Sequence, residues 1–204
     1  MKTNCRLCNT ETEVFHSEFN LCKNCYSVQR FDLPDKIKEK NRYNKHQNTI
    51  GDTGYLEFVK PMTEYILKNF NTENSGLDFG CGPSSAISHL LTKEKYTVKQ
   101  YDPFYFPDLN LLKKQYDFII ACEVIEHFHK PFQEFEILRK MLRPNGSLLL
   151  MTDLYNEKID FKNWYYKNDF THVFFYSEET FEWIREHYGF KKPEIFGRLI
   201  ILKS

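Results

Sequence analysis

The residues best suited to chemistry lie in a loop that follows an apolar segment. Residues 77–90 read LDFGCGPSSAISHL, and this pattern predicts a strand ending near Asp78, a turn built on Gly80 and Gly82, and a helix from Pro83. Glycines in such a turn let backbone N–H groups at a helix N-terminus approach a ligand. At the strand tip, the Asp78 carboxylate would repel a phosphate and attract an ammonium group.

A second acid, Asp102, follows Gly82 by 20 residues, at the end of the next predicted strand (96–101). In a dinucleotide-type fold an acid at this position binds both ribose hydroxyls and disfavours a 2′-phosphate. S-adenosylmethionine (SAM) carries an ammonium group at one end and a ribose at the other, so the pattern predicts SAM as the ligand. Two alternatives remain open: a nicotinamide cofactor at the same loop, and glycines that serve tight packing alone.

A third group of residues, in the sequence ACEVIEH, lies at the tip of the predicted strand 116–122. Ligands of an open α/β sheet bind beyond the carboxyl ends of the strands. We therefore expect Cys122 and Glu123 to face the cofactor, and Glu126 and His127 to face a substrate. With an ordinary pKa of about 6.5, His127 can act as a general base. The alternative for His127 is a capping or packing role.

His172 lies in the sequence KNDFTHVFFYS, a loop that is also predicted to emerge at the ligand-binding edge of the sheet. It could meet His127 across the site, as a base or as a metal ligand. The alternative is structural, a hydrogen bond from Asp169 or His172 that holds a long loop in place. The aromatic residues around it are expected to lie partly in the core and partly in the wall of a substrate pocket.

Four of the six cysteines form the pattern C-x2-C-x13-C-x2-C, namely Cys5, Cys8, Cys22 and Cys25. Two such pairs on short hairpins can place four thiolates tetrahedrally about zinc, at about 2.3 Å. The spacing predicts a small structural zinc ribbon. A redox pair and a ribbon that docks nucleic acid are the alternatives. The other two cysteines, Cys81 and Cys122, are expected to be buried thiols near the cofactor.

Length and charge limit the classes of protein that fit. A chain of 204 residues can hold one full domain and a small appendage. The net charge of zero provides no overall field that would draw the protein to nucleic acid or to a membrane. No run of 18 apolar residues and no signal-peptide pattern is present, so a cytoplasmic protein without a membrane partner is expected.

Hydrophobic patterning divides the chain into three segments. Residues 1–30 resemble a ribbon, residues 31–54 are polar and read as a connector or lid, and residues 55–204 alternate strands with helices. The alternation predicts a doubly wound α/β sheet with helices on both faces. A helix is expected over 55–70, where Pro61 must begin a new helix or kink one.

The segment 55–204 resembles the class I SAM-dependent methyltransferases. LDFGCG is similar to the first motif of that superfamily, VKQYDP to the second, YDFIIACEVIEH to the fourth, and LRPNGSLLLMT to the strand that follows. The superfamily has a third glycine where this chain has Ser84. The resemblance implies a Rossmann-like seven-stranded sheet whose antiparallel last strand is GRLIILKS, and it implies methyl transfer from SAM.

The whole chain is similar to a group of bacterial methyltransferases with an N-terminal four-cysteine zinc ribbon. In related enzymes the segment before the first strand of the sheet closes over SAM. This resemblance implies that Tyr43 and His46 contact the cofactor.

One further resemblance concerns a metal. The Glu-x-x-Glu-His pattern with a distant histidine resembles the metal site of small-RNA 3′-terminal 2′-O-methyltransferases. It implies a divalent cation held by four residues, Glu123, Glu126, His127 and His172.

The sequence therefore predicts SAM-dependent methyl transfer to an oxygen, nitrogen or carbon nucleophile. Neutral charge and compact size favour a small-molecule acceptor, and His127, His172 and Glu126 are the candidate catalytic residues. A metal-assisted RNA 2′-O-methyltransferase is one alternative. A zinc-ribbon binding module on a non-catalytic methyltransferase-like scaffold is the other.

Overall fold

A computed structural model describes residues 3–45 and 52–204. Ten strands and five α-helices follow one another along these residues: β1 Glu13–His16, β2 Phe19–Leu21, β3 Val28–Arg30, α1 Lys36–Tyr43, α2 Thr53–Asn69, β4 Ser75–Phe79, α3 Ala86–Lys93, β5 Thr97–Tyr101, β6 Tyr116–Cys122, α4 Pro131–Lys140, β7 Leu142–Met151, β8 Phe174–Phe175, α5 Glu178–Tyr188, β9 Glu194–Phe196 and β10 Leu199–Lys203. Single 3₁₀ turns lie at Leu111–Lys113, Ile125–His127 and Tyr165–Asn168.

The main sheet contains six of these strands, in the order β5-β4-β6-β7-β10-β9. Strand β4 is parallel to β5 and β6, and β6 is parallel to β7. Strand β10 is antiparallel to both β7 and β9, as predicted for GRLIILKS. Apolar side chains cover both faces, with α2 and α3 packed on one face and α4 and α5 on the other. The doubly wound α/β architecture is confirmed.

The described main sheet has one strand fewer than the seven predicted. A parallel crossover needs a dozen or more residues. The chain between β5 and β6 has only residues 102–115, and it must pass from an edge strand to the far side of β4. Those residues form an isolated bridge between Asp102 and Phe106 and one 3₁₀ turn. The segment is too short for both a crossover and another strand.

One predicted helix start differs from the structure, and one of the two alternatives at Pro61 is excluded. Helix α3 begins at Ala86 rather than Pro83, because Ser85 is extended and its hydroxyl caps the helix by accepting from the Ser88 N–H at 3.1 Å. Helix α2 runs through Pro61 without interruption, so no new helix begins there.

The N-terminal ribbon and the main domain share a sheet. Strands β1, β2 and β3 form an antiparallel meander, and β3 pairs with the two-residue strand β8 from the segment 55–204. Aromatic residues from both parts pack between them, including Phe19, Phe161 and Trp164. The segment boundaries at residues 30 and 54 stay a prediction. Within the described residues, no helix is both long and apolar enough to cross a membrane.

Candidate active site

A cavity of about 1570 Å³ opens at the carboxyl ends of β4, β5 and β6. The last residue of each strand, Phe79, Tyr101 and Cys122, contributes to its wall. Pockets for one small ligand typically enclose roughly 300–1,000 Å³. This cavity therefore has room for two ligands side by side.

The glycine loop forms the floor at one end of the cavity. Gly80 has a φ of +77°, and a Cβ there would lie 2.6 Å from a methyl carbon of Val124, so only glycine fits. Gly82 has a φ of +64°, but a Cβ there would meet no heavy atom within 4 Å. The loop therefore packs closely against Val124 at Gly80, whereas Gly82 faces open space.

The backbone N–H groups of this loop are occupied by protein acceptors. Those of Gly80 and Cys81 donate to the Tyr101 carbonyl at 2.8 and 3.2 Å, and that of Gly82 donates to Asp102 at 3.0 Å. A pyrophosphate held at such a loop needs these N–H groups as donors. Their engagement disfavours the nicotinamide alternative.

Asp102 lines the cavity beside the loop and is 7% exposed. Besides the Gly82 N–H, its carboxylate accepts from the N–H groups of Phe104 and Tyr105, at 2.7 and 3.1 Å. These three bonds hold the carboxylate in one orientation at the cavity edge. The two N–H groups at Oδ1 fill its two acceptor sites, whereas Oδ2 accepts only from Gly82 and keeps one site for a hydroxyl donor.

Asp78 lies beneath the loop, set back from the cavity wall, and is 3% exposed. Its Oδ2 accepts from the hydroxyls of Ser85 and Ser88, at 2.5 and 2.7 Å. Burial raises the pKa of Asp78, against the two hydroxyl bonds. The structure therefore ties Asp78 to the start of α3, and the predicted ammonium contact stays a prediction.

Of the two remaining thiols, Cys81 is buried and Cys122 is half-buried, and their predicted contact with a cofactor stays a prediction. Cys81 and Cys122 line the cavity. Burial, followed by the charges of neighbouring carboxylates, raises the pKa of each thiol. Both therefore remain protonated at neutral pH and lack the thiolate that a nucleophilic cysteine requires.

Glu123 also lines the cavity, with a strained backbone. Its φ of +52° places a non-glycine residue in the left-handed region, which is typical of functional sites held by their surroundings. Arg198 donates to both of its carboxylate oxygens at 2.7 Å, and the Tyr166 hydroxyl oxygen, whose single proton Glu123 shares with Glu126, lies 3.1 Å from Oε2. Burial raises the pKa of Glu123, although Arg198 and Tyr166 oppose the shift.

Sequence reasoning missed both partners of Glu123. Arg198 lies in the turn between β9 and β10, and Tyr166 in a 3₁₀ turn of the long loop after β7. No local pattern marks either residue, because their contacts come from distant parts of the chain.

Glu126 is fully buried and hydrogen-bonded on both oxygens. The Tyr166 hydroxyl donates to Oε1 at 2.6 Å, and the Thr152 hydroxyl to Oε2 at 3.2 Å. Burial, followed by the charge of Glu123, raises the pKa of Glu126 well above its ordinary value. The ionised form of Glu126 is therefore disfavoured at this buried position.

The structure brings His127 and His172 together, as predicted. Their ring centroids lie 4.8 Å apart, and both rings line the cavity. The Nδ1 atom of His127 is 2.8 Å from the Thr171 carbonyl, and that of His172 is 2.7 Å from the Tyr166 carbonyl. A carbonyl accepts only, so each Nδ1 carries the proton and each Nε2 bears the lone pair of the neutral ring.

Helix α1 covers the cavity from the other side. The Tyr43 ring stacks edge-on against His127, with centroids 5.2 Å apart. Arg42 pairs with Asp169 at 2.7 Å, and Glu39 with His129 at 2.8 Å. The predicted contact of Tyr43 with a ligand is compatible with its place in the cavity wall. His46, the other predicted contact of this segment, lies outside the described residues.

The four N-terminal cysteines form a compact cluster, with their sulfurs within 4.8 Å of one another. Cys5 Sγ lies 3.6 Å from Cys25 Sγ, and Cys8 Sγ 3.3 Å from Cys22 Sγ. A tetrahedral zinc site with bonds of about 2.3 Å has sulfurs about 3.8 Å apart. Both pairs end in a left-handed residue, Asn9 and Tyr26. The cluster fits zinc in donor type and in spacing.

The predicted four-residue cation site forms only in part. Glu126, His127 and His172 each offer an atom within 4.8 Å of the others. Each histidine donates its other ring nitrogen to a carbonyl, as metal-bound histidines do. Glu123 is instead held by Arg198.

Three comparisons place the fold among known proteins. A family model described as a methyltransferase domain matches residues 52–194. The sequence matches no curated protein. Among solved structures, the fold is similar to a Burkholderia thailandensis 1,6-didemethyltoxoflavin-N1-methyltransferase (TM-score 0.58, 10% identity, 94% of this chain and 96% of that chain).

Two other similar structures come from longer chains. One is an O-methyltransferase family protein from Burkholderia thailandensis (TM-score 0.53, 10% identity, 81% of this chain and 61% of that chain). The other is human N-acetylserotonin methyltransferase in complex with SAM (TM-score 0.55, 13% identity, 86% and 61%). The chain spans about three fifths of both. These likenesses concern the fold, and the family match extends over most of the sequence: the chain belongs to the methyltransferase-domain family.

Proposed function

We propose that this protein transfers a methyl group from SAM to a proton-bearing oxygen or nitrogen of a small molecule, with carbon acceptors as the less favoured class. One observation carries the proposal: a glycine loop with its N–H groups already engaged faces the same cavity as a pair of histidines. The first feature suits a cofactor without phosphates, and the second suits an acceptor that must lose a proton.

Residues around the loop are suited to hold SAM. Asp102 would accept a ribose hydroxyl at Oδ2, while Gly80, Cys81 and Gly82 would line the cofactor's path at the cavity floor. The other sides of the cofactor site would be formed by Cys122, Glu123 and Tyr43. Asp78 would support the loop from below. When bound, SAM supplies an electrophilic methyl group on a sulfonium.

The opposite half of the cavity is suited to hold the acceptor. Each histidine ring has its accepting Nε2 set by the Nδ1 hydrogen bond, so His127 or His172 can take the acceptor's proton. Glu126 supports them through Tyr166, whose backbone carbonyl holds His172. Exposed Tyr165 and Phe170 line the same space and favour an acceptor with apolar surface.

A divalent cation at Glu126, His127 and His172 is a second candidate, supported by their spacing and by the two carbonyl-bound Nδ1 atoms. The raised pKa of Glu126 weighs against it, because a metal ligand must be ionised. Metal analysis of the purified protein distinguishes the two cases. We expect about one zinc per chain, held by Cys5, Cys8, Cys22 and Cys25, and no second equivalent of any metal.

Calorimetry with S-adenosylhomocysteine, the product of SAM, tests the cofactor. Asp102→Ala is expected to abolish binding, and Asp102→Asn to weaken it about 10-fold or more, since a hydrogen bond to a charged group contributes about 1.5–3 kcal/mol. Asp108→Ala is the control. It removes an exposed acid from the segment between β5 and β6 that also carries Asp102, and it should leave the affinity for S-adenosylhomocysteine unchanged. Unchanged affinity in folded Asp102→Ala protein would reject the cofactor assignment.

The acceptor is found by a separate experiment. Cell extracts treated with the enzyme and isotope-labelled SAM are analysed by mass spectrometry for labelled small molecules. Label that appears only in RNA would favour the metal-assisted alternative. Cofactor binding without any labelled product, under conditions that retain zinc, would favour a non-catalytic binding module.

A further inference from the structure

One contact between the ribbon and the segment 55–204 lies beside the cavity histidines, at Val173. The Val173 carbonyl accepts from two ribbon groups, the Arg30 N–H at 2.9 Å and Arg6 Nη2 at 2.5 Å. The Val173 N–H donates to the Glu126 carbonyl at 2.9 Å. Val173 directly follows His172, and Glu126 directly precedes His127. A single peptide segment therefore connects the ribbon to the backbone of both cavity histidines.

Arg6 reaches Val173 from the turn between Cys5 and Cys8. Its own N–H donates to Gln29 Oε1 at 2.9 Å, and Gln29 Nε2 donates to the Asn4 carbonyl at 3.0 Å. Its guanidinium also lies 5.8 Å from the centre of the Phe174 ring. The cysteine cluster holds the base of this side chain, and buried Gln29 fixes it to strand β3.

The second cysteine pair provides an internal comparison. Lys23 occupies the position after Cys22 that Arg6 occupies after Cys5, and its side chain is exposed. The two turns share their sequence spacing and their left-handed end residues. Of these two turns, only the first places its basic residue in contact with the segment 55–204, through the bond from Arg6 to Val173.

The loop that carries His172 has little regular secondary structure. Between β7 and β8, residues 152–173 contain one 3₁₀ turn as their only assigned helix or strand, and β8 itself has two residues. Its order therefore depends on the packing of buried side chains, such as Phe161, Trp164 and Tyr166, and on hydrogen bonds to neighbouring segments. Contacts from the ribbon are therefore well placed to decide how narrowly His172 is held.

We propose that Arg6 is a positioning residue for His172, through which the cysteine ribbon holds the acceptor side of the active site. The ribbon is then a structural part of the catalytic machinery rather than a separate docking module. This inference rests on the proposed function for the role of His172. The hydrogen bonds at Val173 are independent of that function.

The test compares Arg6→Met, which keeps the packing of the stem and removes the donors, with Lys23→Met in the zinc-loaded protein. Hydrogen exchange of the amides in 165–176 is the main measurement. Arg6→Met should speed this exchange about 10-fold or more, Arg6→Lys should restore part of the protection, and Lys23→Met should change nothing. Zinc content and affinity for S-adenosylhomocysteine should stay within about twofold of the parent protein.

A second measurement follows the imidazole nitrogens of His172 by NMR. Arg6→Met should weaken the signature of a protonated Nδ1 bonded to a carbonyl. Unchanged exchange in 165–176 overturns the proposal. Concerted loss of zinc, cofactor affinity and protection across the whole chain also overturns it, since Arg6 would then maintain the general fold. Failure of the parent protein to bind S-adenosylhomocysteine would instead reject the proposed function and leave the exchange result intact.

Discussion

Arg198 donates to both carboxylate oxygens of Glu123 at 2.7 Å, joining the turn of the last hairpin to the tip of the central strand β6. The guanidinium also approaches Asp153 at 3.3 Å. Each side chain of the pair is about one quarter exposed, at 26% and 28%. The pair neutralises an acid at the edge of the cavity and keeps that acid from serving as a cation ligand.

Arg198→Met is expected to destabilise the protein by about 1–3 kcal/mol at neutral pH, because it leaves a largely buried carboxylate unpaired. Without Arg198, the pKa of Glu123 rises further above its ordinary value. A carboxyl with a raised folded pKa favours the folded state at low pH and loses that contribution as pH rises through the folded pKa. The destabilisation should therefore shrink on acidification.

Urea unfolding across a pH series measures this change. Lys140→Met, which removes an exposed pair with Glu136, is the control and should cost less than about 1 kcal/mol at every pH. An equal loss in both variants would contradict the role assigned to the Arg198–Glu123 pair.

The histidine pair is tested by His127→Ala and His172→Ala once an acceptor is identified. Each substitution should lower kcat about 100-fold or more, as loss of a general base does, with little change in cofactor affinity. Stopped turnover with intact calorimetric binding of S-adenosylhomocysteine would support the assignment. Variants that keep both turnover and affinity would remove these residues from the mechanism.

Asp169 anchors helix α1 through Arg42. Burial acts to raise the pKa of Asp169, but hydrogen bonds from Thr171 and the positive charge of Arg42 outweigh it and lower the pKa to about 2. A depressed pKa contributes stability above the unfolded value of 3.8, and this stability is lost as pH falls to about 2. Asp169→Asn should therefore cost roughly 2 kcal/mol at neutral pH.

The cost should disappear between pH 4 and pH 2, as followed by thermal unfolding. Asp160→Asn, at an exposed aspartate on the same long loop, is the matched control. A pH-independent difference for Asp169→Asn would show that shape, and not charge, determines the effect.

Zinc removal is the fourth test. Cys25→Ser should reduce zinc content below about one equivalent per chain and lower the melting temperature, because a structural zinc contributes directly to folding free energy. Cys81→Ser, at a thiol outside the cluster, should retain full zinc. Metal content is measured by mass spectrometry of the dialysed protein. A parent protein that contains no zinc, and whose melting temperature Cys25→Ser leaves unchanged, would argue for the redox alternative.

Much of the site could be predicted from the sequence because its signals are local. The glycine turn, the spacing from Gly82 to Asp102 and the two Cys-x-x-Cys pairs each depend on residues close in the chain. Apolar runs at fixed periods predicted the doubly wound sheet. The start of α3 was misplaced because Pro83 resembles a first helical residue, whereas Ser85 is the cap and the helix begins three residues later, at Ala86.

Long-range partners escaped the sequence for one physical reason. Three contacts join segments that are far apart in the chain: Arg198 with Glu123, Tyr166 with Glu126, and Arg6 with Val173. The distance between these segments is set by how the sheet and the ribbon pack. No period or spacing in the sequence encodes that distance. The sequence by itself determined the family, the glycine turn and the spacing of the four cysteines. Only the tertiary structure decided that Asp78 supports the loop from beneath, that Glu123 is neutralised, and that the ribbon holds the loop of His172.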